Sequence, residues 1–117
     1  MDVRKEVIDS IMVIVLTGDL NSRSAPSVQE QVLPALPPDG RVLLDLSRVP
    51  FVSSAGLRTL LLIYRQAQAV NSSVALVGLS ADIRRVLSAT GFLGFFAVAD
   101  SLPGGLDALR EPAEVPR

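Results

Sequence analysis

The chain has no cysteine, no histidine and no tryptophan among its 117 residues. Without Cys and His there is no thiolate nucleophile, no imidazole general base and almost no route to a transition-metal site. Only Asp, Glu, Lys, Tyr, Ser and Thr remain for catalysis. With one Tyr and four Phe there is no set of aromatic platforms for stacking single-stranded nucleic acid. The net charge of −1, with basic residues scattered along the chain, gives no basic stripe and argues against nucleic acid as a partner. The longest apolar run, Ile11 to Leu16, is far too short to cross a bilayer, and the opening "MDVRKEV" carries charge where an export signal needs an apolar core. The expectation is a cytoplasmic domain without a membrane partner, cofactor or metal.

Nearly half of the residues are apolar, enough for one packed core. The run Ile11 to Leu16 suits a strand buried on both faces. A weaker strand, Val3 to Ile8, precedes it, with Asp9-Ser10 as a hairpin turn. Ser24 and Pro26 mark a helix start, with Val28, Val32, Leu33 and Leu36 at helical spacing and Pro34 ending or bending it. "RVLLDLSRV", Arg41 to Val49, reads as a strand interrupted by Asp45. An amphipathic helix follows to about Val70, with an apolar stripe at Leu57, Leu60, Leu61, Tyr64, Ala67 and Gln68.

Ser73 to Leu79 forms another buried strand. Ala81 to Thr90 is a helix with Ile83, Val86 and Leu87 inward, stopped by Gly91. Phe95 to Val98 is a last strand. Pro103, Gly104 and Gly105 delay the final helix to about Leu106. This order predicts an α/β fold, a mixed sheet of about five strands with an N-terminal hairpin and about four flanking helices. A single domain is expected over residues 1–110, with 111–117 a frayed tail.

No glycine-rich phosphate loop is present, and the carboxylates are spread along the chain. Asp45 is most simply a carboxylate bonded to backbone amides at its strand end. Between the strand and the amphipathic helix stands "FVSSAGLR", Phe51 to Arg58. A serine there caps the helix by accepting one of its first N–H groups. The same position is an electropositive anion site, and Gly56 permits close backbone approach. A phosphoryl group on such a serine adds about −1.5 to −2 charges at neutral pH, which the helix tolerates and a docked acidic or apolar partner does not.

"RVLLDLSRVPFVSSAGLRTLLLIYRQAQ" resembles the central segment of STAS domains, as found in bacterial anti-sigma factor antagonists. "SVALVGLSADIRRVLSATGF" and the "GDL" after the second strand fit the same family. The resemblance runs from Val7 to Val98 and is most specific from Asp45 to Leu57. It implies a non-enzymatic partner-switching role. The antagonist binds an anti-sigma factor that is also a serine protein kinase with a histidine-kinase-like ATPase fold, and so frees a sigma factor. Phosphorylation at the start of the second helix ends binding, and a PP2C-type phosphatase restores it.

In the family's Asp-Ser-Ser-Gly-Leu pattern the second serine is the acceptor. Aligned on Gly56-Leu57, this chain has Ala55 there, Ser54 before it and Ser53 in place of the Asp. The resemblance therefore implies Ser54 as the first candidate acceptor and Ser53 as the second. An antagonist that is not phosphorylated is the competing reading. The implied partner-binding rim comprises Gly18, Asp19, Asn21 and Ser22 together with Ser53, Ser54, Ala55, Gly56, Leu57 and Arg58. A monomer or weak dimer is expected. A scaffold or ligand-sensing STAS module is the alternative function.

Overall fold

A computed structural model describes residues 1–110. The expected tail at 111–117 lies outside the described residues. The sheet has five strands in the order β1-β2-β3-β4-β5: Asp2–Ile8, Ile11–Thr17, Arg41–Arg48, Ser73–Val77 and Ala97–Ala99. The first two pair antiparallel and every later neighbour pairs parallel. Asp9 and Ser10 form the hairpin turn with φ of 53° and 65°. That left-handed pair is the geometry whose twist matches two right-twisted strands joined by two residues.

Among the described residues, four helices flank the sheet: α1 Ala25–Val32, α2 Ser54–Ala69, α3 Ala81–Ala89 and α4 Leu102–Arg110. One face of the sheet, with Ile14, Leu16, Val42, Leu44, Leu46 and Leu76, shares its core with residues of α1, α2 and α3. The other face, with Ile11, Val13, Leu43, Ala75 and Val77, packs on Leu106 and Leu109 of α4. β2 and β3 are covered on both faces, which is why they read as nearly continuous apolar runs. Pro34 acts as expected: α1 stops at Val32, and a single 3-10 turn, Leu33–Ala35, carries the chain past it.

Several local expectations change. α4 begins at Leu102, not near Leu106. Pro103 sits in the first helical turn, where a missing N–H costs nothing. Gly105 is required by packing: a Cβ there would lie 2.4 Å from Val77 Cγ1 and 2.7 Å from Leu43 Cδ1. Absence of a side chain lets α4 lie directly on β3 and β4. Gly105→Ala is expected to lower stability by about 1–3 kcal/mol through overpacking, outweighing the gain in helix propensity, and urea unfolding measures it.

The last strand is Ala97–Ala99, shifted from Phe95 to Val98. Phe92–Phe95 instead forms a 3-10 turn, and Phe95 stacks on Tyr64 of α2 with ring centroids 5.1 Å apart. Val86 of α3 is exposed rather than inward, leaving Ile83 and Leu87 as the buried pair. On α2 the buried stripe is Gly56, Thr59, Leu60, Ile63 and Ala67. Leu57, Leu61 and Tyr64 are only half-buried, and Gln68 is exposed. The stripe is rotated because two of its members, Gly56 and Thr59, are not large and apolar, so hydropathy spacing passes over them.

Candidate functional site

The segments after β2 and after β3 are stitched together by main-chain hydrogen bonds. Gly18 N donates to Arg48 O at 3.0 Å, Leu20 N to Phe51 O at 2.9 Å, and Ser53 N to Leu20 O at 2.9 Å. Leu20 and Val52 form a one-residue parallel bridge. The two loops therefore behave as an extension of the β2–β3 ladder beyond the sheet. This happens at one edge because parallel strands end on the same side. Leu20, fully buried, anchors the junction.

Ahead of it, β3 carries one more residue than β2: Val15 aligns with Asp45, and Thr17 aligns with Arg48. The Asp45 carboxylate accepts from Ser47 N at 2.9 Å across this irregularity. Asp45 thus has the backbone-bonding role expected of it at the strand end.

The 18–22 loop is held from within. Asn21 Oδ1 accepts from the N–H groups of Arg23 and Ser24, at 2.9 and 3.2 Å. Ser24 stands at the N-cap of α1 but does not cap it with its side chain. Its hydroxyl donates to Asp19 O at 2.8 Å and accepts from Asn21 N at 3.0 Å. The expected helix-start serine is therefore a loop clasp. Asp19 and Ser22 remain exposed on the outside of this clasp.

α2 opens against Leu20. A Cβ on Gly56 would stand 2.3 Å from Leu20 O and 2.9 Å from Leu20 Cγ, so only glycine admits this approach. Ser53 is the N-cap: its Oγ accepts from Gly56 N at 3.2 Å, and its carbonyl accepts from Leu57 N at 2.8 Å. Ser54 is the first helical residue and is exposed, and its hydroxyl has no hydrogen-bond partner among the described residues. The two serines thus divide the labour that the sequence left joined. Ser53→Ala is expected to cost about 1 kcal/mol of stability by orphaning the Gly56 N–H, read by thermal or urea unfolding.

Arg58 is exposed one turn after Ser54, at the spacing that makes helix residues neighbours. Thr59, the next residue, is fully buried. Its Oγ1 donates to Ala55 O at 3.1 Å and accepts from Gln29 Nε2 at 3.1 Å, tying α2 to α1 just behind the rim.

All ten expected rim residues lie on these two segments, and the stitching joins Gly18 to Ser22 with Ser53 to Leu57. Leu20, Thr59 and Gln29 support the rim and were not singled out by sequence, and Ser24 supports it in a role other than the helix start expected of it. Leu20 had a signal in the "GDL" segment, whereas the Thr59–Gln29 bond spans thirty positions and had none. Among the described residues, no group of three acidic side chains could hold a metal ion, and no helix is long and apolar enough to cross a membrane.

The model of the STAS domain family matches residues 2–104. BtrV of Bordetella bronchiseptica, which carries the name anti-sigma factor antagonist, is 34% identical over 102 residues, covering 86% of this chain and 88% of its own length. An anti-sigma factor antagonist from Mycobacterium paratuberculosis has a similar structure, with a TM-score of 0.82 at 25% identity over 94% of each chain. The phosphorylated form of the Bacillus cell fate determinant SpoIIAA shares the fold, with a TM-score of 0.71 and 21% identity over 93% of this chain and 100% of that one. The mixed sheet, the family match and the BtrV relationship together establish that the chain belongs to the STAS domain family, among the anti-sigma factor antagonists.

Proposed function

We propose that the chain binds an anti-sigma factor through the rim formed by Gly18–Ser22 and Ser53–Arg58, and that phosphorylation of Ser54 releases it. The partner is a serine protein kinase of the histidine-kinase-like ATPase type, and binding frees a sigma factor. A PP2C-type phosphatase reverses the modification. The chain acts by binding in the cytoplasm and catalyses nothing itself.

The observation that carries this reading is the separation of roles at the start of α2. Ser53 spends its hydroxyl lone pair on the Gly56 N–H, while the Ser54 hydroxyl is exposed and unengaged among the described residues. Ala55, at the family's usual acceptor position, has no hydroxyl to modify. A phosphoryl group on Ser54 would sit at the positive end of α2 with Arg58 one turn away, both favourable to negative charge. The fold therefore tolerates the modification, and the docked partner meets the added charge. The family relationship supports the anti-sigma factor as that partner, and SpoIIAA is a structural neighbour known in a phosphorylated form.

The test is phosphopeptide mapping after incubation with the anti-sigma kinase and ATP, using the parent, Ser54→Ala and Ser53→Ala. Modification of the parent and of Ser53→Ala, with none on Ser54→Ala, supports the reading. Modification that persists in Ser54→Ala overturns it.

A further inference from the structure

We propose that the free edge of β1 pairs antiparallel with β1 of a second copy, joining the two five-stranded sheets into one. β1 is the outermost strand, seven residues long, with Val7 65% exposed, the most exposed of the large apolar residues among those described. An uncovered strand of this length offers a row of unpaired backbone donors and acceptors.

The backbone fixes which residues face outward. The two-residue turn makes Ile8 and Ile11 a hydrogen-bonded pair, and pairs alternate from there along the ladder. Glu6 and Arg4 therefore bond inward to Val13 and Val15. Val3, Lys5 and Val7 point their N–H and C=O groups to the open edge. A second β1 running antiparallel must match these three residues to their own counterparts.

Only one register pairs all three outward residues of β1 with outward residues of the second copy, and it suits the charges. Centring the two-fold axis on Lys5 places Val3 opposite the second copy's Val7, in both directions, and forms about six backbone hydrogen bonds. The same register sets Arg4 opposite Glu6 twice, in the closer, non-hydrogen-bonded pairs. A shift of the axis to Arg4 opposes Arg4 to Arg4 and Asp2 to Glu6. A shift to Glu6 opposes Glu6 to Glu6. Both alternatives stack like charges.

Neither Arg4 nor Glu6 has an ion-pair partner among the described residues, so both are available. The one like pair in the favoured register, Lys5 against Lys5, is relieved within each copy. Lys5 Nζ donates to Gln31 O of its own α1 at 3.1 Å, which draws the ammonium off the edge.

Sedimentation across a concentration series tests this with the whole chain. The parent is expected to show a reversible monomer–dimer equilibrium. Arg4→Glu and Glu6→Arg should each weaken it by about tenfold, since each turns two attractive pairs into repulsive ones. The double swap Arg4→Glu/Glu6→Arg should restore parental affinity. Val7→Pro removes an outward N–H without touching the β1–β2 ladder and should abolish the dimer, with thermal unfolding confirming the fold of each variant. A parent that stays monomeric at every concentration, or a dimer indifferent to the single swaps, overturns the proposal.

Discussion

Gly56→Ala should lower stability by about 3 kcal/mol, toward the upper end of what overpacking costs, although alanine is the better helix former. A methyl group at this position meets the Leu20 carbonyl oxygen at 2.3 Å and its carbon at 2.9 Å. Neither is the movable end of a side chain. The Leu20 carbonyl is fixed because it accepts from Ser53 N, and Leu20 N is fixed because it donates to Phe51 O. To admit the methyl group, α2 must shift outward or the ladder between the two loops must open. Either response moves the rim, so partner binding falls together with stability. Urea unfolding measures the first effect and titration with the anti-sigma factor the second.

Ser54→Asp should separate these two quantities. The new carboxylate stands in the first turn of α2, where it interacts favourably with the helix dipole, so stability should stay level or rise by about 0.3–1 kcal/mol. Affinity for the anti-sigma factor should fall at least about a hundredfold, near 2.7 kcal/mol, because a desolvated charge without a partner is costly at an interface. Ser53→Ala should do the reverse, losing cap energy while leaving the uncharged rim able to bind. Opposite responses from adjacent serines would distinguish a switch from a cap more sharply than either variant alone.

Much of the architecture was legible because its signals are local. The apolar run of β2, the Asp9-Ser10 turn, Pro34 and the strand into "FVSSAGLR" each fix a backbone choice within a few residues. Errors arose where packing across the molecule overrides a local rule. Gly105 reads as a helix breaker until Leu43 and Val77 show that it is a contact surface. Val86 matches the helical spacing, yet it lies outside the patch of α3 that meets the sheet.

The place of Gly56 and the two serines at a helix start was legible, since a serine before an apolar-periodic segment is a cap signal. The roles within the rim were not. Which serine caps and which stands free depends on where the first helical turn closes, and that depends on Leu20. The part-buried Thr59–Gln29 bond and the Ser24 clasp are also tertiary, with no spacing to announce them.

The most direct test compares the unmodified chain with the chain phosphorylated on Ser54, each titrated against the anti-sigma factor. The unmodified chain is expected to bind, and the phosphorylated one to bind at least about a hundredfold more weakly while unfolding at the same or higher temperature. Equal affinity of the two forms would contradict the proposed switch.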